Sequence, residues 1–263
     1  MSELQDYLAV AVEAAHAAGK LQQFYAGGDL DIQTKSSETD LVTKADKLCE
    51  AKIREIIAAH YPEHVVLGEE GGQDGEATHR WIVDPIDGTL NYAHGLPFYC
   101  TSIGLEVDGV IQVGVVLDSL RAELFTAVKG GGAFLNGAPM RVTQETELIN
   151  SMLTTGFSYQ KEGQRTNIPV FERLNAQVRS IRRLGASALD LAYVACGRLD
   201  GFWELKLKPW DVAAGWLLVT EAGGRVTGPF GEPYQVDENR VVATNGQIHD
   251  KLVSALDLKT VLA

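Results

Sequence analysis

The chain has 263 residues, of which 45% are hydrophobic and 22% charged, and a formal net charge of −12 at pH 7. A chain of this length buries a core without disulfide or zinc staples, and no run approaches the roughly 20 apolar residues of a membrane span. The acidic balance, with Arg182-Arg183 and Lys206/Lys208 as the only local basic spots, excludes a nucleic-acid face built on counterion release.

Residues 3–25 have helix-forming composition and stop at Gly27-Gly28. No basic run precedes their apolar positions, so the N-terminus does not read as a signal peptide. Residues 30–33 alternate as a short strand, and KSSETD reads as a loop. Residues 41–60 predict a second helix, with Leu41, Ala45, Leu48, Ile53, Ile56 and Ile57 along one face. Tyr61-Pro62 ends it. Residues 65–67 predict a strand running into Gly68-Glu69-Glu70, and residues 81–83 another that stops at Asp84-Pro85. Between residues 98 and 128 the pattern becomes an antiparallel meander with tight turns such as Asp108-Gly109.

The second half alternates. Strands are expected at 152–155, 181–184, 200–205 and 241–244, and helices at 167–179, 187–196, 211–222 and 248–256. Such alternation suggests helices layered on sheets. The change of style near residues 140–150 predicts a division into 1–145 and 146–263 within one compact unit. Cys49, Cys100 and Cys196 are odd in number and widely spaced, so they read as reduced core thiols of a cytoplasmic protein rather than a disulfide or zinc framework.

The chemistry concentrates in Trp81-Ile-Val-Asp84-Pro-Ile-Asp87-Gly-Thr89. An apolar strand ends in one Asp, and a second follows three residues later. Carboxylates at strand ends are where α/β proteins place ligand sites. The intervening turn frees the Ile86 carbonyl as a further hard oxygen, which suits Mg²⁺. Gly88 and Thr89 would present N–H groups to a phosphate at a helix start. Alone, Asp84 and Asp87 also read as helix caps. Glu69 and Glu70 alone are a solvated loop, Asp211 in Trp210-Asp211 a good N-cap, and Asp46 a surface charge. Together they are acidic residues beside strand ends and helix starts, as a multi-metal phosphatase needs.

The run WIVDPIDGTLNYAHGLPF, preceded by GEE and followed by DGFWELKLKPWDVAAGWLLVTEAGG, resembles the inositol monophosphatase family, and the resemblance spans nearly the whole chain. It implies a layered αβαβα sandwich of the sugar-phosphatase type, with a large antiparallel sheet in the first half and a smaller mixed sheet in the second. It implies Mg²⁺ as the ion, Li⁺ as an inhibitor, a homodimer, and hydrolysis of a small phosphorylated polyol such as inositol monophosphate. By that resemblance Glu69, Asp84, Ile86 (through its carbonyl), Asp87 and Asp211 hold metal. Glu69, Thr89 and Asp46 serve the attacking water. Asp87, Gly88, Thr89, Ser187 and Glu204 bind substrate, and Lys35 is a loop lysine near the metals. The six histidines are outside the residues given roles by that resemblance and read as surface or structural. Related phosphatases share the metal core, so fructose 1,6-bisphosphate, histidinol phosphate, a 3′-phosphonucleotide or NADP stay as alternative substrates. A regulatory protein that keeps the fold without needing catalysis is the reading from another class. No direct nucleic-acid or membrane partner is expected.

Overall fold

The computed structural model describes residues 3–28, 30–34, 41–157 and 161–258. α1 (Glu3–Tyr25) buries Tyr7, Val10, Ala11, Ala14, Ala15 and Ala18, a stripe at three- and four-residue spacing. A two-residue ribbon follows, β1 (Gln33–Thr34) against β2 (Leu41–Val42). The strand expected at 30–33 shrinks to this ribbon because Asp31 takes a positive φ of 44° and breaks extension. α2 (Lys44–His60) starts later than residue 41. Thr43 is extended, its hydroxyl accepts the Ala45 and Asp46 amides, and the Asp46 carboxylate accepts the Thr43 amide. This reciprocal cap fixes the helix start more firmly than the apolar pattern does.

The large sheet contains β3 (Val65–Gly68), β4 (Gly72–Gln73), β5 (His79–Asp87), β6 (Cys100–Val107), β7 (Val110–Asp118), β8 (Glu123–Val128), β9 (Gly132–Leu135) and β10 (Ala138–Pro139). Their order is β10-β9-β8-β7-β6-β5-β3-β4. Every pair is antiparallel except β3–β5, which is parallel, with Gly68 opposite Val83. That pair sets two strand C-termini side by side. β5 does not stop at Asp84. It runs to Asp87 with a register shift between the two Asp residues, then gives way to the short α3 (Thr89–Ala93).

The small sheet is built from β11 (Met152–Thr155), β12 (Ser180–Arg182), β13 (Gly201–Leu205), β14 (Arg225–Thr227) and β15 (Arg240–Thr244), in the order β12-β11-β13-β15-β14 with mixed pairing. Its helices are α4 (Lys161–Asn175), α5 (Ser187–Ala195), α6 (Pro209–Glu221) and α7 (His249–Leu256). The three-residue β14 carries too short a pattern to be seen in the sequence.

Strand alternation builds the layers. Trp81, Val83, Ile103, Leu105, Val113 and Val115 pack with the apolar stripes of α1 and α2. Ile82, Val116, Phe125 and Ala127 point the other way and pack with α5 and α6. Phe202, Val241 and Ala243 of the small sheet close that same core, whereas Leu153, Trp203 and Val242 pack outward with α4 and α7. The result is a helix–sheet–helix–sheet–helix sandwich. Its middle layer lies close to the large sheet because Gly104 and Gly114 face α6. A Cβ on Gly114 would fall 2.7 Å from the Ala214 carbonyl oxygen, and one on Gly104 2.9 Å from Ala213 Cβ.

Candidate active site

The parallel β3–β5 pair explains why two distant acidic motifs meet. Glu69 leaves β3 as Asp84 leaves the regular part of β5, and the Glu69 amide donates to the Val83 carbonyl at 3.3 Å. Buried Glu50 of α2 shapes the loop beyond: its carboxylate accepts the Glu70 amide at 2.7 Å and the Gly71 amide at 2.9 Å. Gly68 leaves room for it, since a Cβ there would lie 2.4 Å from Glu50 Cδ. Sequence reasoning passed over Glu50. The available signal was its place one turn beyond Asp46 on α2, with Arg54 as partner at 2.9 Å another turn on.

Gln22 was also missed. It is fully buried on the apolar stripe of α1 and donates through Nε2 to the Pro85 carbonyl at 2.9 Å and to Thr101 Oγ1 at 2.7 Å. A glutamine within a run of buried alanines was the visible mark. It pins the bulge between Asp84 and Asp87. Within the bulge, Asp84 Oδ1 accepts the Ile86 amide at 3.0 Å. Thr89 Oγ1 lies 3.0 Å from Asp46 Oδ1 and 3.0 Å from the Ile86 carbonyl oxygen, so its one proton serves one of them at a time. Gly88, at φ 91°, turns the chain into α3, and a Cβ there would stand 3.0 Å from the Phe98 carbonyl oxygen.

One pocket brings together Glu69, Asp84, Asp87, Thr89 and Asp211 with the main chain at Ile86 and Gly88. Asp211 comes from the other half of the chain. It is not the N-cap of α6 but sits in the first turn, its Oδ2 accepting the Lys208 amide at 2.7 Å. Carboxylate oxygens of Asp84, Asp87 and Asp211 all lie within 4.8 Å of one another.

Asp87 also ties this cluster to a second one. Its Oδ1 accepts the Ser187 amide at 3.1 Å and its Oδ2 the Ala188 amide at 2.7 Å, so it caps α5 from outside that helix. The buried Cys100 thiol approaches Oδ2 at 3.6 Å. Ser187 Oγ donates to Glu204 Oε2 at 2.9 Å. Ser187 and Glu204 therefore stand beside Asp87 without lining the acidic pocket itself. Lys35 lies outside the described residues.

The electrostatics are those of crowded acid. Burial pushes the Asp84 carboxyl well above its ordinary range, and the charges of Glu69, Asp87, Asp211 and Asp46 push it further. Burial raises Asp87 to about 6 against the opposing pull of the α5 amides and the Cys100 thiol. Burial raises Glu204 to about 8, opposed by the Ser187 hydroxyl and Arg183. Carboxylates held this close repel one another unless protons or cations neutralise them. Three Asp oxygens with a main-chain carbonyl nearby form the hard-oxygen set that suits a divalent cation of the Mg²⁺ class.

Comparison with known proteins gives the family. Residues 3–260 match the model of the inositol monophosphatase family. The chain belongs to the inositol monophosphatase family. An inositol-1-monophosphatase of Synechocystis is 44% identical over 97% of this chain and 90% of its own length. A structure of inositol monophosphatase from Anabaena is 44% identical and superposes with a TM-score of 0.89, covering 97% of this chain and 96% of the other. The family's names are not uniform. A Pseudomonas aeruginosa relative called Nus factor SuhB is 40% identical over 96% of each chain. Within the inositol monophosphatase family, then, the αβαβα sandwich of this chain matches its structural neighbours.

Proposed function

We propose that the chain is a Mg²⁺-dependent phosphomonoesterase that releases phosphate from inositol monophosphate or a closely similar polyol phosphate. The observation that carries the reading is the convergence of Asp84, Asp87 and Asp211 oxygens within 4.8 Å, in a pocket shared with Glu69.

Asp84, Asp87, Asp211, Glu69 and the Ile86 carbonyl would hold the metal. When bound, Mg²⁺ supplies Lewis acidity and offsets the negative charge of both pocket and phosphate. The chain's own groups do the rest. The amides at Gly88 and Thr89, at the start of α3, cradle phosphate oxygens. Glu69 and the Asp46–Thr89 pair orient the attacking water and receive its proton. Asp46 suits that task because Thr43 donates to its Oδ2 through both amide and hydroxyl, leaving Oδ1 turned to Thr89. Asp87, Ser187 and Glu204 meet the hydroxyls of the leaving polyol. Glu204 supports a polyol, because its carboxyl and the Ser187 hydroxyl bonded to it offer hydrogen-bonding partners for substrate hydroxyls.

On the same reading Li⁺ inhibits by competing for the cation pocket, and the chain pairs as a homodimer. Residues 1–145 and 146–263 act as two halves that meet at the site. Three free thiols support a cytoplasmic setting. Among the described residues no helix is long and apolar enough to cross a membrane.

The test is kcat/KM across inositol 1-phosphate, fructose 1,6-bisphosphate, histidinol phosphate, a 3′-phosphonucleotide and NADP, with and without Mg²⁺. Preference for inositol 1-phosphate with strict Mg²⁺ dependence is expected. A higher kcat/KM on any bisphosphate or nucleotide would move the assignment to that substrate.

A further inference from the structure

Asp190 is a buried carboxyl that the chemistry above leaves without a task. It lies in the first turn of α5 and is 1% exposed, and its Oδ1 meets no hydrogen-bond partner among the described residues. A buried polar atom left so is destabilising, and one that is kept calls for an explanation.

Two periodicities place it. On α5, Ser187 and Asp190 are three residues apart and share a face, and Ser187 Oγ is bonded to Glu204. On the small sheet, Thr154 pairs in register with Phe202, whose ring packs on the α5 side. Glu204, two residues further along β13, returns to that same face. Asp190 thus stands one helical turn behind Ser187, against Thr154 and beside Glu204. The charged groups facing it are Glu204 from β13, Asp87 from β5 and Arg183 from the segment before α5. Thr154 is its hydrogen-bonding neighbour from β11. The Thr154 hydroxyl, which also lies 3.3 Å from the Arg182 carbonyl, favours the charged form of Asp190 but serves only one carboxyl oxygen; Oδ1, buried and without a donor among the described residues, favours a proton there.

We propose that Asp190 is a positioning residue for the leaving-group pocket: it holds the proton of a two-carboxyl pair with Glu204, leaving Glu204 to carry the charge that receives substrate hydroxyls. The inference rests on the polyol phosphatase reading. Two buried carboxyls close together do not ionise independently. Of the two, Glu204 has a hydroxyl donor in Ser187, whereas Asp190 has an oxygen with none. Burial raises both groups, Glu204 to about 8 and Asp190 also well above the carboxylate range.

The test uses Asp190→Asn, which keeps a neutral group of the same shape, and Asp190→Leu, which removes the polar group. Both are assayed against pH on inositol 1-phosphate and on p-nitrophenyl phosphate, which has no polyol hydroxyls. Asp190→Asn is expected to hold KM within about twofold and the acid limb of kcat/KM within about 0.3 pH unit of wild type. Asp190→Leu is expected to raise KM for inositol 1-phosphate about tenfold, with kcat and p-nitrophenyl phosphate turnover little changed. An acid limb lowered by about one unit in Asp190→Asn would mean that Asp190 carries charge beside Glu204, and the proposal would fall. Equal losses on both substrates in Asp190→Leu, or no loss on either, would also overturn it. A wild-type protein inactive on both substrates would sink the phosphatase reading instead. Thermal unfolding between pH 5 and 9 then still tests the proton. Stability of the wild type must fall with rising pH more steeply than that of Asp190→Asn, and parallel curves refute the pairing.

Discussion

At the scale of single residues the site is an argument about charge. Asp84 is 2% exposed and Asp87 7% exposed, and Asp84 faces Glu69, Asp87, Asp211 and Asp46. Both Asp groups are raised above their ordinary value of 3.8. The sign follows directly. The folded state holds protons that the unfolded state has released, so stability is fully present below about pH 4 and falls as pH rises through the raised values, near 6 for Asp87. A bound divalent cation removes that penalty. Thermal unfolding in EDTA and in Mg²⁺ is therefore expected to diverge as pH rises from 4 to 7, with Mg²⁺ the more stable. Parallel curves would show that no cation offsets these carboxylates. Asp84→Asn and Asp211→Asn are each expected to lower phosphate release under saturating Mg²⁺ by at least about 100-fold. Turnover near wild type in both would remove the mechanism. Gly88→Ala combines a left-handed backbone with a 3.0 Å approach to the Phe98 carbonyl oxygen. It is expected to lower kcat by about tenfold or more through a displaced phosphate cradle, as steady-state assays would show.

At the scale of elements the caps and the bulge decide where the acids point. The sequence reading placed the apolar strands and helices well, because their periodicity is set by burial. It failed where polar side chains overrule periodicity. Thr43 and Asp46 delay α2 by a reciprocal cap, and Asp211 enters α6 as a first-turn acceptor rather than its cap. The strand through Asp84 looked finished at the proline, yet it continues to Asp87. A bulge needs a partner strand, and that partner is β6, which no local pattern announces. Gln22 was invisible as a site element for the same reason, since its acceptors, Pro85 and Thr101, lie on β5 and β6 and its donor, Ser119, lies just beyond β7. Gln22→Leu leaves the Pro85 carbonyl and the Ser119 hydroxyl without this partner. It is expected to destabilise the protein by about 1–3 kcal/mol and to raise the Mg²⁺ concentration needed for half-maximal thermal stabilisation. Denaturant unfolding with a Mg²⁺ titration checks both. An unchanged Mg²⁺ requirement would separate Gln22 from the site.

At the scale of the whole molecule the sandwich brings distant stretches of the chain to one pocket. Glu69, Asp84 and Asp87 leave the large sheet, Asp211 arrives on α6, and Asp87 caps α5 of the middle layer. The motifs and their chemistry were legible in the sequence. Their convergence came only from the family resemblance, because residues 84 and 211 are joined by packing rather than by any local rule. That packing depends on the near approach of α6 to Gly104 and Gly114. Gly114→Val is expected to push α6 off the large sheet, destabilise the fold by about 1–3 kcal/mol and weaken Mg²⁺ binding at Asp211. Calorimetric Mg²⁺ titration of the folded variant reads the last effect.

The most direct measurement is anomalous diffraction from crystals soaked in Mn²⁺, a Mg²⁺ stand-in with the same preference for oxygen ligands. Anomalous density enclosed by Asp84, Asp87 and Asp211, with Glu69 on its border, is the expected result. Crystals that take up Mn²⁺ elsewhere and leave that pocket without density would contradict the account at its root.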